Sequence, residues 1–134
     1  MKNMEAPTKH EIDTLAALLR KRKQHLLKEI RQVLRRSGNE HYADLLGETG
    51  DIGDESVATL MSDTANAEVT RDILEVRDIA GAEERIAAGR YGICIDCGDA
   101  IGYERLHAYP SCKRCLRCQQ VREKTRASTP HPKL

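Results

Sequence analysis

The chain has 134 residues, 40% hydrophobic and 32% charged, with four Tyr, no Phe and no Trp. So few large apolar side chains leave little for a globular core, so long exposed helices or a metal or disulfide staple are expected. The net charge of +1 names no partner by itself. No apolar run is long enough to span a bilayer and the first residues lack a signal-peptide core, so a soluble cytoplasmic protein is expected.

Thr8, with Glu11 three residues on, predicts a helix start closed by a capping box. Ile12, Leu19, Leu26 and Val33 then recur every seventh residue, and Leu15, Leu18, Ile30 and Leu34 widen the stripe. Sevenfold spacing keeps one seam turned toward a partner helix, as in one arm of a coiled coil. Arg22 interrupts that seam. Ser37-Gly38-Asn39 predicts a break, and Tyr42, Leu45 and Leu46 another helical turn or two beyond it.

Gly47, Gly50 and Gly53 mark a reversal, after which Asp54 or Ser56 would cap a second helix over about 55–88. Its expected seam is Val69, Ile73, Val76, Ala80 and Ala87, with Val57 and Met61 nearer the turn, and Gly89 stands where a C-terminal cap is usually glycine. A short connection makes neighbouring helices antiparallel. The fold class expected is therefore mainly α: an antiparallel coiled-coil hairpin over 8–90 with its tip near 47–55. Charge is segregated along it. Arg20, Lys21, Arg22, Lys23, Lys28, Arg31, Arg35 and Arg36 crowd the first arm. Between Arg36 and Arg71 there is no Lys or Arg, while Glu40, Asp44, Glu48, Asp51, Asp54, Glu55, Asp63 and Glu68 lie there. Such a tip is either a solvated acidic segment or a prong offered to a cationic or metal-bearing partner.

The pattern then changes to cysteines. Cys94-Ile95-Asp96-Cys97-Gly98 is a knuckle in which two intervening residues aim both sulfurs at one ion, and Gly98 permits the turn. Cys112, Cys115 and Cys118 follow at equal spacing, so either of two C-x-x-C pairs completes a tetrahedral site for one structural Zn2+. Without a secretion signal, metal is favoured over disulfides. Four thiolates leave no open position for catalysis, and no nucleophile–base pair or phosphate loop is visible, so no enzyme is expected. The four sulfurs around a dication carry about −2, which Arg90, Lys113, Arg114 and Arg117 can offset. The thiol left over is a candidate redox sensor. A finger with a C-terminal helix over 91–127 and a loose tail over 128–134 complete the expected organisation.

Tyr91-Gly92-Ile93-Cys94-Ile95-Asp96-Cys97-Gly98, followed by Ile101-Gly102-Tyr103-Glu104-Arg105-Leu106 and preceded by a hairpin with an acidic turn, resembles the DksA/TraR family of four-cysteine zinc finger regulators. The resemblance is close over 91–118 and looser before it. It implies that Cys94, Cys97, Cys115 and Cys118 bind zinc, because the family's second pair begins after 17 intervening residues, as Cys115 does after Cys97. Cys112 is then the spare thiol. It further implies a non-enzymatic bacterial transcription regulator. Such a protein binds RNA polymerase as a monomer, inserts the hairpin tip into the secondary channel and recognises no DNA sequence. Asp51 and Asp54 have the family's D-x-x-D tip spacing, although Ser56 stands where the family has alanine. Arg71 and Arg105 keep basic character expected for a response to guanosine tetraphosphate, whereas Asp78, Tyr109 and Gln119 replace basic residues, so that response is expected to be weak or absent. Two other readings are a nucleic-acid-binding zinc ribbon, favoured by the basic stretch 20–36, and a thiol redox sensor built on Cys112.

Overall fold

The computed structural model describes residues 5–46 and 66–128. They form α1 (Lys9–Arg36), α2 (Glu40–Leu46), α3 (Ala67–Ala87), α4 (Tyr103–Ala108) and α5 (Leu116–Ser128). Among the described residues the β structure is a single isolated antiparallel bridge, Ile93 with Ala100. No described helix is long and apolar enough to cross a membrane.

The expected capping box opens α1. Thr8 Oγ1 accepts from the Glu11 N–H at 3.1 Å, and Glu11 Oε1 accepts from the Thr8 N–H at 2.9 Å. Two donors that a helix start leaves orphaned are thereby satisfied. Leu15, Leu19, Leu26, Leu27, Ile30, Val33 and Leu34 are all buried. Ile12 is half-buried, and Leu18, expected in the stripe, is 38% exposed. Leu18 and Leu27 stand about 100° to opposite sides of the seam line through Leu19 and Leu26. The stripe widens on the Leu27 side only.

Arg22 does not break the seam; its fork leaves it sideways. Arg22 Nε and Nη2 donate to Glu75 Oε2 and Oε1 at 2.7 and 3.0 Å. Both side chains are partly exposed, so the pair is worth at most about 1 kcal/mol, but it fixes direction. Arg22 lies opposite Glu75, and Glu29 lies near Asp72, so α1 and α3 run antiparallel as expected.

Both long helices stop in the same way. At α1 the Asn39 N–H donates to the Leu34 carbonyl at 2.7 Å and the Gly38 N–H to Arg35 at 3.3 Å. At α3 the Arg90 N–H donates to Arg85 at 2.8 Å and the Gly89 N–H to Ile86 at 3.2 Å. This paired arrangement requires a left-handed residue, and Gly38 and Gly89 supply it at φ 83° and 74°. Beyond the first stop α2 buries Ala43 and Leu46, and Arg35 reaches Asp44 at 3.5 Å.

The second helix departs from expectation at its start. A single helix over 55–88 is corrected at Asn66, which is not helical. Its Oδ1 accepts from the Val69 N–H at 3.0 Å, capping a helix that begins at Ala67. Residues 47–65 lie outside the described residues, and with them the expected tip, Asp51, Asp54, Ser56, Val57 and Met61. The buried stripe of α3 is Val69, Asp72, Ile73, Val76, Ile79 and Ala82, whereas Ala80 is half-buried and Ala87 exposed. The stripe therefore rotates around α3 toward its C-terminal end. Ala82 belongs to the unit that holds the finger.

The chain divides into two compact units, Met1–Ala16 with Ala82–Leu134, and Ala17–Gly81. The boundary falls inside α1 and α3.

The two flanks of α1 separate by mutation. Leu26 is fully buried, so Leu26→Ala is expected to cost about 2–5 kcal/mol. Leu18→Ala should stay within about 0.5 kcal/mol. Denaturant midpoints at unchanged slope measure both.

Candidate metal centre

The knuckle folds because its backbone closes on itself twice. The Cys94 N–H donates to the Asp99 carbonyl and the Ile101 N–H to Gly92, each at 2.8 Å. The Gly98 N–H reaches the Cys94 carbonyl at 3.0 Å, with Gly98 at φ 80°. Residues 110–115 lie alongside, tied by the Ile95 N–H to the Lys113 carbonyl at 3.0 Å. Cys115 immediately precedes α5 and Cys118 lies in its first turn, where the helix N-terminus favours negative sulfur.

The Sγ atoms of Cys94, Cys97, Cys115 and Cys118 all lie within 4.8 Å of one another. Cys97 Sγ and Cys115 Sγ are 3.8 Å apart. A tetrahedral zinc with sulfur at about 2.3 Å needs sulfur–sulfur edges of about 3.8 Å, so the cluster fits one zinc with no position left for substrate. Amides point inward as thiolate coordination requires: the Asp96 N–H donates to Cys94 Sγ and the Cys118 N–H to Cys115 Sγ, both at 3.4 Å.

Cys94 and Cys118 differ in acidity. Burial raises the Cys94 thiol, but backbone donors at Cys115, Cys97 and Asp96 bring it down to about 6. The hydrogen bond to Cys115, then burial and the remaining sulfurs, push Cys118 up to about 12. Arg117 acts as counter-charge, its guanidinium held protonated by a hydrogen bond to Cys97 and by the charges of Cys97, Cys118 and Cys115. Arg114 has other work; its Nε donates to Asp96 at 2.8 Å and braces the knuckle.

Cys112 lies outside the cluster. It is buried, and its Sγ donates to the Arg114 carbonyl at 2.9 Å. No cysteine forms a disulfide. Asp51 and Asp54 are outside the described residues.

Several residues of the quoted motif stretches act as supports, a role the sequence did not assign them. Tyr91 donates its hydroxyl to the Pro110 carbonyl at 2.7 Å, and Arg105 Nε donates to the Arg114 carbonyl at 3.1 Å. Tyr91, Ile101, Leu106 and Cys112 are all buried. Pro7 is buried against Gly92: a Cβ at position 92 would stand 2.5 Å from Pro7 Cδ, and φ there is 85°. Tyr91, Gly92, Ile101, Arg105 and Leu106 all stand in the two stretches that carry the family resemblance. A groove of about 900 Å³ beside the cluster is lined by Tyr103, Tyr109, Arg105 and Arg117, and also by Glu11, Asp99 and Glu104.

Residues 89–124 match the prokaryotic dksA/traR C4-type zinc finger. An uncharacterized protein of Aquifex aeolicus (strain VF5) is 34% identical over 116 residues, which is 80% of this chain and 77% of that protein. Among solved structures, the transcription factor DksA2 from Pseudomonas aeruginosa is similar with a TM-score of 0.58 at 24% identity, over 89% of this chain and 88% of that one. At that identity the likeness speaks for the fold. Hairpin and four-sulfur cluster together define a helical zinc-finger protein with one structural zinc. The chain belongs to the DksA/TraR family.

Single serine substitutions test which sulfurs hold the metal. Cys115→Ser and Cys118→Ser should each lose zinc and unfold the finger, since binding energy here is folding energy. Cys112→Ser should keep one zinc per chain by metal analysis. Loss on Cys112→Ser with retention on Cys118→Ser would reverse the assignment.

Burial, opposed by the nearby Arg85, pushes the Tyr91 hydroxyl up from 10.0 to about 12. Its neutral form is the folded form, so this stabilisation is full below pH 10 and is lost as pH rises through about 12. Tyr91→Phe should cost about 1 kcal/mol at neutral pH and flatten that alkaline decline in a pH series of unfolding curves.

Proposed function

We propose that this protein regulates bacterial transcription by binding RNA polymerase, with the hairpin carrying residues 47–55 into the secondary channel. The observation that carries the reading is the match of the four-cysteine finger, over 89–124, in a chain whose α1 and α3 run antiparallel. In this reading Cys94, Cys97, Cys115 and Cys118 ligate the structural zinc and Cys112 packs the finger. Residues 8–90 act as lever and 91–127 as anchor, with 128–134 as a tail. The protein works as a cytoplasmic monomer and recognises no DNA sequence. It catalyses nothing itself. Asp51 and Asp54 act at the tip, near the polymerase's catalytic metal. The 28 residues of α1 alone span about 42 Å, which suits a lever.

A response to guanosine tetraphosphate is proposed to be weak. Beside the finger, Arg105 and Arg117 face three carboxylates, Glu11, Asp99 and Glu104, in one groove, a poor setting for phosphates. Arg105 is moreover committed to the Arg114 carbonyl.

One observation favours a second reading. Arg20, Lys21, Lys28, Arg35 and Arg36 are exposed along α1. Such a run suits nonspecific contact with nucleic acid.

The test uses initiation from a short-lived promoter complex at saturating occupancy of polymerase. Asp54→Asn should leave zinc content and polymerase affinity within about twofold of the parent, as expected for a solvated tip charge, yet remove most of the effect on initiation. Equal effects of parent and variant would reduce Asp54 to a turn residue. No binding to polymerase, with salt-sensitive binding to duplex DNA, would put the nucleic-acid reading first.

A further inference from the structure

The seam between α1 and α3 contains one carboxylate that nothing closes. Asp72 is 7% exposed, and among the described residues its Oδ2 is the buried side-chain polar atom without a hydrogen-bond partner. It sits in the second turn of α3, in the same stripe as Val69, Ile73 and Val76. A buried polar group without a partner, and above all a buried charge, weakens a fold.

The surroundings make the charge worse. Glu29 faces Asp72 from α1, and Glu68 and Glu75 flank it on α3. Two cations are near. Arg22 of α1 is taken by Glu75 through both arms of its fork. Arg71 of α3 is exposed and opposes the carboxylates only in part. Burial first, then Glu29 and Glu68, lift Asp72 above its ordinary value of 3.8. Its contribution to stability is thus full below pH 3.8 and is lost as pH rises through the higher folded value.

We propose that Asp72 makes the hairpin seam charge-sensitive: neutral, it lets the seam close, and ionised, it makes the adjoining turns of α1 and α3 open more often. The effect belongs to the unit Ala17–Gly81, which contains Asp72 and every charged group named around it, and is independent of the zinc cluster. It stands whether or not polymerase is the partner.

Amide hydrogen exchange on the full zinc-loaded chain tests this, with the parent compared to Asp72→Asn and to Asp72→Leu over a pH series that retains zinc. At neutral pH, amides of 69–76 and 26–33 are expected to exchange about tenfold more slowly in both variants, while amides of 91–118 are unchanged. The parent-to-variant ratio should fall toward one as pH is lowered, because the parent then carries the neutral acid. Intrinsic exchange chemistry cancels in that ratio. Equal or faster exchange in both variants at neutral pH overturns the proposal. So does slower exchange whose ratio does not change with pH, which would leave Asp72 as a packing fault only.

Discussion

Four sulfurs held within 4.8 Å of one another cannot all be thiolates unless a cation lies among them. The finger depends on that constraint. Its backbone is mostly loop, with short α4 and one isolated bridge, and its buried side chains are few. So few buried side chains, Tyr91, Ile101, Leu106 and Cys112 among them, do not hold a loop structure by themselves. The amides aimed at Cys94 and Cys115, the Arg117 guanidinium and the start of α5 all serve the same negative centre. Metal coordination is what turns these separate features into one rigid piece.

The unit Ala17–Gly81 is held differently. Leucine, isoleucine and valine side chains of α1 and α3 are buried among the described residues, and two polar features stand out. Arg22 and Glu75 satisfy each other at the edge, fixing register without burying charge. Asp72 is buried and unsatisfied. One polar pair set at the rim and one carboxylate set inside differ in position by a single helical turn, yet one steadies the seam and the other loosens it.

Much of this was legible in the residues because the signals are local. The Thr8–Glu11 box, the glycine stops at Gly38 and Gly89, the heptad leucines and the first C-x-x-C each involve neighbours along the chain. Less legible was anything that depends on where the partner stands. Leu18 and Leu27 are equivalent by spacing, and only the position of α3 decides which is covered. Asn66 cannot be preferred over Asp54 or Ser56 as a cap by type, since all three suit that role. The C-x-x-C-x-x-C run is symmetric about Cys115. The tie is broken by Cys112 turning to the Arg114 carbonyl and Cys118 lying in the first turn of α5. Arg22 looked like a defect because sevenfold spacing says nothing of a long side chain leaning outward to Glu75.

The contact of Pro7 with Gly92 joins residues about 85 positions apart in the sequence. During synthesis the arms of the hairpin are available to each other well before the finger exists. Pro7 then has no surface to seat on until Gly92 has been made and the knuckle around it has formed. Seating of the N-terminal segment therefore waits on residues translated long after it. A chain released before Cys118 would own a finished lever and an unfastened beginning.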